Sequence, residues 1–199
     1  KKRQIKEKIS FPTFEIADVI NQEWEESEVF RYLSEQRFLL QIFVEEEKGY
    51  VYAGHLFLKF TPEQLDEWAQ ETWEDFKSKV VNGIQFTLEK RKNDVIIHSN
   101  IQGKIENQMG LIKVHGQSTY DIDRKNIIGV DEVSEQYIEK NTVNGRFVQR
   151  EEKKDTFGCE LPNGDIIGKQ SYWLNNDFVL NYIKEHSDEL AYNVVWEKK

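Results

Sequence analysis

The most regular pattern of hydrophobic and polar positions lies between Thr61 and Gly83 and predicts a long helix. Large side chains recur there every three or four residues, which places them on one helical face. They are Leu65, Trp68, Thr72, Phe76 and Val80, with Trp73 widening the stripe. Thr61 and Gln64 have the spacing of a capping box, Pro62 fits the first helical position, and Asn82-Gly83 is typical of a helix end.

The segments before this helix predict a hairpin and two short helices. The β-rich runs "RFLLQIFV" and "YVYAGHLFLKF" flank the charged turn "EEEKG", as the two strands of a hairpin would. Apolar residues between Ile16 and Leu33 fall at helical spacing, with a break near Glu26-Ser27.

Downstream of Gly83 the pattern changes to short strands separated by polar, Gly-containing turns. The predicted strands cover 95–98, 110–116 and 166–174. A helix from Asp177 to about His186 follows the last strand, with Asn175 or Asn176 as its cap.

Residues 121–156 stand apart from this pattern, because they carry mixed charge and few large apolar residues in register. We expect an excursion there, or a hairpin around the Asn144-Gly145 turn. With 199 residues and 38% hydrophobic content the chain can bury one sizeable core. We therefore predict one domain over 1–199, of mixed α/β (α+β) class.

The charge is distributed unevenly, although the net charge is -9. Residues 15–75 carry four bases and sixteen acids, whereas residues 76–129 carry nine bases and five acids. Residues 1–14 carry five bases and one acid. A local basic surface can bind phosphates despite a negative total, because charges act over about one Debye length, roughly 8–10 Å.

No segment has the length or apolarity of a membrane span or a signal peptide, so we expect a soluble, cytoplasmic chain. The single Cys159 cannot form an internal disulfide, which fits a reducing compartment, and we expect an inert thiol.

Most catalytic and metal motifs are absent from the sequence. The four histidines stand far apart, and there is no phosphate loop, dinucleotide motif or nucleophile elbow. The acids from Glu23 to Glu28 are interpreted as a solvated helix face. A magnesium nuclease needs an Asp and a Glu-x-Lys on a strand, and "EEKKD" at 151–155 lies in a polar, unstrand-like stretch. We predict no catalytic or metal-binding residue in this chain.

Three segments resemble a known family and occur along the chain in the order that the family has. They are "QEWEESEVFRYL", "LDEWAQETWEDFKSKVVNG" and "GLIKVHGQS…LPNGDIIGKQSYWLNNDFVLNYI", and they resemble the mismatch-repair nicking endonuclease MutH and its relatives among GATC-cutting type II restriction endonucleases. The similarity extends from about Ile9 to Ile183. It implies a restriction-endonuclease fold, with a central mixed sheet flanked by helices.

In that family, the motif resembling Trp24-Glu25-Glu26-Ser27 follows the catalytic strand, and residues 1–13 resemble the linker between them. The resemblance therefore implies that the amino-terminal part of the fold, with its catalytic strand, lies upstream of Lys1. The resemblance is strongest to the carboxy-terminal domain of the two-domain enzymes of this family. In those enzymes the carboxy-terminal domain binds GATC as an effector, and the amino-terminal domain cuts. The resemblance implies no cofactor in this chain, and Mg²⁺ in the catalytic domain of the parent enzyme.

The resemblance also implies the DNA-binding residues. Lys113 and His115 stand where the family has an Arg-x-Lys that reads bases, and Lys can still donate to guanine O6 and N7. A family Tyr aligns with Trp173, or with Tyr172 if the register slips by one. The remaining candidates are Gln117, Ser118 and Tyr120 in the following loop, Lys169 and Gln170 beside Trp173, and Lys90, Arg91, Lys92 and Lys104 for phosphates.

Three functions remain open from the sequence. The first is an effector domain that binds double-stranded GATC, with the amino-terminal catalytic domain of the same polypeptide as a further partner. The second is a Mg²⁺-dependent catalytic domain whose Asp and Glu-x-Lys lie upstream of this chain. The third is a protein-interaction module that works through the acidic 15–75 surface and has no affinity for DNA.

Overall fold

The computed structural model describes residues 5–91, 94–102, 109–115, 119–130, 132–149 and 158–190. The described chain is a mixed α/β structure of small antiparallel sheets and helices. Its strands are β1 (Ser10–Phe14), β2 (Phe38–Glu46), β3 (Gly49–Leu58), β4 (Phe86–Arg91), β5 (Asp94–Ser99), β6 (Gly110–Val114), β7 (Tyr120–Asp123), β8 (Thr142–Val143), β9 (Arg146–Gln149), β10 (Cys159–Glu160), β11 (Ile166–Ile167) and β12 (Gln170–Leu174). The helices are α1 (Ile16–Asn21), α2 (Glu28–Glu35), α3 (Gln70–Asn82), α4 (Glu132–Lys140) and α5 (Asn176–Glu185).

The predicted long helix is confirmed, with a wider first part. A π-helical segment, Gln64–Ala69, leads directly into α3. The capping box closes at its start: the Thr61 amide donates to Gln64 Oε1 at 3.0 Å, and the Gln64 amide donates to Thr61 Oγ1 at 3.2 Å. Gly83 ends the helix with a φ of 97°, a backbone angle that favours glycine.

The upstream elements also match the pattern. α1 and α2 form the two short helices, with a 3-10 turn, Trp24–Glu26, between them. Ser27 caps α2 by accepting the Phe30 amide at 3.0 Å, and Trp24 is buried. Because Glu25 and Glu26 remain exposed, the acids here are a solvated surface as predicted.

The strands form separate antiparallel sheets rather than one central mixed sheet among the residues described. β2 pairs with β3 as the predicted hairpin, and β4 pairs with β5. A five-stranded sheet has the order β10-β11-β7-β9-β8, and a three-stranded sheet has the order β1-β12-β6. Among the described residues, the strands pair in antiparallel fashion, and parallel pairing occurs as an isolated bridge between Phe86 and Ile127.

The segment expected to leave the core instead contributes to it. The hairpin at Asn144-Gly145 is present between β8 and β9, with positive φ at both turn residues. Yet Ile122, Ile138 and Phe147 are each 0% exposed and belong to the main hydrophobic cluster. Sparse apolar residues can complete a core when neighbouring elements supply the rest of the packing.

The strand predicted over 166–174 divides in two. β11 joins the five-stranded sheet and β12 joins the three-stranded sheet. Where the two strands separate, the side chain of Gln170, the first residue of β12, donates from Nε2 to the Gly168 carbonyl at 2.7 Å. The described residues include no helix long and apolar enough to cross a membrane.

Candidate nucleic-acid interface

The three-stranded sheet separates the candidate residues onto two faces. β12 pairs with β6 so that Tyr172 lies opposite Ile112 and Ser171 lies opposite Lys113. Directly paired residues of antiparallel strands point to the same face. Tyr172 and Ile112 are buried on the inner face, which packs toward α3, whereas Lys113 and Trp173 lie on the outer face and are half-buried.

The outer face brings a cation against an aromatic ring. The Nζ atom of Lys113 lies 4.3 Å from the centroid of the Trp173 ring. The His115 ring centroid is 5.4 Å from that of Trp173, tilted by 36°. A cation over an indole gains attraction from the ring quadrupole, so this contact holds the lysine in a defined place.

His115 is held at two points. Its amide donates to the Lys169 carbonyl at 2.7 Å, and its Nδ1 lies 2.8 Å from the Ser171 hydroxyl. Ser171 is 0% exposed, whereas the His115 side chain is exposed. The imidazole is therefore anchored on its buried side and presents its other edge outward.

Lys113 carries a charge that no described carboxylate neutralises within ion-pair distance. Its pKa is lowered, first by burial and second by the like charge of Lys8. Both lysines line a cleft of about 210 Å³ together with Trp173 and the start of α5, including Asp177. The cleft is thus bounded by two cations, an indole, the amides of Asn175 and Asn176 and one carboxylate, that of Asp177.

A glycine allows the two strands to approach at this position. A Cβ atom on Gly110 would lie 2.6 Å from the Trp173 carbonyl and 2.6 Å from a ring atom of Tyr172. Any larger residue would displace β12, so Gly110 helps to set the position of the outer face.

Lys169 lies at the margin of this surface and is already paired. It is bound to Glu15, with 3.0 Å between Nζ and Oε1, which raises the pKa of the lysine. The same carboxylate lies 3.6 Å from the buried Cys159 thiol, and burial, followed by Glu15, raises the pKa of that thiol. A buried thiol with a raised pKa is a poor nucleophile, in keeping with the inert role predicted for Cys159.

Two predicted contact residues point into the protein. Gln170 is 0% exposed and lies on the inner face with Tyr172, as strand alternation predicts. Tyr120 is 5% exposed and packs edge-on against Phe86. Neither side chain reaches the outer face, because both positions serve the core. We therefore correct the predicted set by removing Gln170 and Tyr120 as direct contacts.

The remaining residues predicted to contact DNA fall into two groups. Some lie outside the residues that the structure describes, and for others the structure describes only the backbone. Gln117, Ser118, Lys92 and Lys104 lie outside the described residues, as does "EEKKD" at 151–155. Lys90 and Arg91 belong to β4, as the pairing of that strand with β5 shows. Sequence reasoning missed Lys8 and Ser171, although the basic run at the start of the chain was a signal for Lys8.

No group of three or more His, Cys, Asp or Glu side chains suited to a metal ion occurs in the described ranges. His98 contacts Glu89 at 2.9 Å, and His55 contacts Tyr52 at 2.9 Å. These histidines serve separate surface contacts.

The chain is 24% identical over 197 residues to the type II restriction enzyme Sau3AI of Staphylococcus aureus, a match that covers 93% of this chain and 36% of that enzyme. This chain is related to a type II restriction enzyme. It spans about a third of the length of that relative. No family model matches the chain.

Proposed function

We propose that this chain is a DNA-binding domain of a type II restriction endonuclease, which recognises double-stranded GATC as a non-catalytic effector. The observation that carries the proposal is the outer face of the three-stranded sheet, where Lys113 lies over Trp173 and beside Lys8 and His115, without a described carboxylate in ion-pair distance. The similarity to a restriction enzyme supports DNA as the partner.

The chemistry of this face suits both parts of DNA recognition. Lys113 supplies an ammonium group that can donate to guanine O6 and N7, and His115 can donate from its outward edge. Lys8 adds a positive charge at the edge of the same cleft, where a phosphate oxygen would be attracted. We expect Gln117, Ser118, Lys90, Arg91, Lys92 and Lys104 to extend this contact along the duplex.

In this proposal the chain has a MutH-like fold, and the catalytic Asp and Glu-x-Lys belong to a separate amino-terminal domain of the same polypeptide. The catalytic domain of the same polypeptide is a second partner and uses Mg²⁺. We assign no Mg²⁺ ligand to this chain. If the catalytic residues directly upstream complete this domain instead, the domain itself is the nuclease, and this is the main alternative.

A mobility-shift experiment tests the proposal. The chain is titrated against one duplex that contains GATC and one with the same bases scrambled, over a series of salt concentrations. We expect tighter binding to GATC and a steep loss of affinity with salt for both duplexes. Equal affinity for both duplexes would contradict specific recognition, and no affinity at low salt would favour a protein-interaction module.

A second measurement separates the effector from the nuclease. The same duplexes are incubated with the chain and Mg²⁺, and we expect both to remain intact. Cleavage by this chain alone would overturn the non-catalytic assignment.

A further inference from the structure

We propose that Ser171 is a positioning residue for DNA recognition. Its buried hydroxyl fixes the tautomer of His115 and so places an N–H donor on the ring edge that meets the duplex. The inference rests on the proposed function and deepens it. It assigns a role to a residue that makes no contact with DNA itself.

The geometry places the two side chains on one face by strand pairing. Ser171 lies opposite Lys113 in the β6–β12 ladder, and His115 follows two residues after Lys113. The hydroxyl oxygen of Ser171 lies 2.8 Å from Nδ1 of His115. The amide of His115 is tied to Lys169 at the same time, so the backbone and the ring are both held.

Burial decides the direction of this hydrogen bond. Ser171 is 0% exposed, and His115 is the hydrogen-bond partner of its hydroxyl among the described residues. A buried hydroxyl proton without an acceptor is costly, so the hydroxyl donates to Nδ1. Neutral imidazole carries one N–H, which must then be on Nε2.

The consequence is a fixed donor on the exposed edge of the ring. The Trp173 ring supports His115 from one side, with 5.4 Å between centroids. The Nε2–H group therefore requires an acceptor on the partner, such as guanine N7 or O6, or a phosphate oxygen. An imidazole free to exchange tautomers would offer a donor for only part of the time.

The first test measures the tautomer in the free protein. Long-range ¹H–¹⁵N spectra at about pH 8, where model imidazole is neutral, should show His115 protonated at Nε2. Ser171→Ala should give a mixture of both tautomers, and Ser171→Thr, which keeps the hydroxyl, should restore the single form. A single Nδ1–H form in the unaltered protein would overturn the inference, whatever the protein does to DNA.

The second test is a double-mutant cycle on binding. We expect Ser171→Ala to lower the ratio of GATC to scrambled affinity by about five- to tenfold, and Ser171→Thr to recover most of it. In a His115→Ala background, Ser171→Ala should change nothing further, because it acts through the imidazole. Ser134→Ala removes another fully buried serine hydroxyl, from α4, and should leave the ratio unchanged.

The outcomes distinguish the two proposals. If the unaltered chain does not prefer GATC, the proposed function fails, while the tautomer measurement still tests the hydrogen bond. If the chain prefers GATC and Ser171→Ala keeps the full ratio, only the positioning role fails. Equal losses from Ser171→Ala with and without His115 would mean that Ser171 only stabilises the sheet.

Discussion

Among the described residues, two lysines lie against aromatic rings, and their surroundings differ in charge. Lys6 lies 6.0 Å from the centroid of the Tyr50 ring on the β2–β3 hairpin, and its Nζ is 2.5 Å from a Glu45 oxygen. Lys113 lies 4.3 Å from the Trp173 centroid, without a described carboxylate in ion-pair distance. The hydrogen bond to Glu45 raises the pKa of Lys6, whereas burial and Lys8 lower the pKa of Lys113.

The difference is the reason that we propose the DNA contact on the outer face of β6 and β12 and not on the more aromatic hairpin. The outer side of the hairpin exposes Phe43, Tyr50, Tyr52 and Phe57, which is more aromatic surface than β12 offers. The cation beside these rings, Lys6, is paired with Glu45, so this side of the hairpin has little attraction for a polyanion. Lys113 keeps its charge available and has Trp173 to position it, which is what a base or phosphate contact needs.

Removing the available cation should have the largest effect. We expect Lys113→Ala to cost about 1–3 kcal/mol of discrimination between GATC and scrambled duplexes, because a direct base contact is lost. Titrations of both duplexes at one salt concentration measure the change. Lys48→Ala removes an exposed lysine at the hairpin turn and is the matched control. If Lys113→Ala leaves the ratio of affinities unchanged, the assignment of this face is wrong.

Removing the ring that positions the cation should have a smaller effect. We expect Trp173→Leu to weaken GATC binding by about 1 kcal/mol, since Lys113 and His115 both lose their aromatic support. Phe57→Leu, a similar loss from the hairpin, should leave DNA affinity unchanged. Circular dichroism and thermal unfolding of both variants control for folding. Equal effects from the two substitutions would remove the distinction between the two surfaces.

A lysine that contacts only phosphates should change affinity without changing preference. We expect Lys90→Ala to weaken both duplexes alike and to reduce the slope of log affinity against log salt by about one. The salt series for the two duplexes measures this directly. A selective loss for GATC would instead assign Lys90 to base recognition.

The elements that the sequence predicted well depend on local contacts. The capping box joins Thr61 to Gln64, and the hairpin turn joins β8 to β9, so neighbouring residues determine both. The outer face depends on distant residues: Ser171 and His115 are 56 positions apart along the chain and meet only because β12 pairs with β6. No local pattern contains that pairing.

The candidate site was predicted in part for the same reason. Alternation along a strand divides the residues of β12 between two faces, but the sequence does not say which face the core covers. Tyr172 and Gln170 lie on the inner face, which α3 covers. Tyr120 does not lie on the outer face because β7 belongs to the five-stranded sheet, where Tyr120 packs on Phe86.

The smallest expected effect is a change in proton affinity at the two lysines. Lys8→Ala should raise the pKa of Lys113 without restoring its ordinary value, because burial is the larger cause of the shift and remains. Glu45→Gln should move the pKa of Lys6 the other way, downward, since it removes the partner that raises it. NMR titration of the lysine ε-methylene signals measures both. Shifts in the same direction at the two sites would contradict the contrast between them.

The same shifts determine how stability depends on alkaline pH. Lys113 has a lower pKa in the folded chain than the ordinary lysine value of about 10.4, so between these values the unfolded chain binds more protons. Its contribution to the free energy of unfolding therefore rises as pH increases through that window. Lys6 has a raised folded pKa, so its contribution is present below the ordinary value and is lost as pH rises through the folded pKa. Lys8→Ala should flatten the first trend and leave the second unchanged in urea titrations across this range.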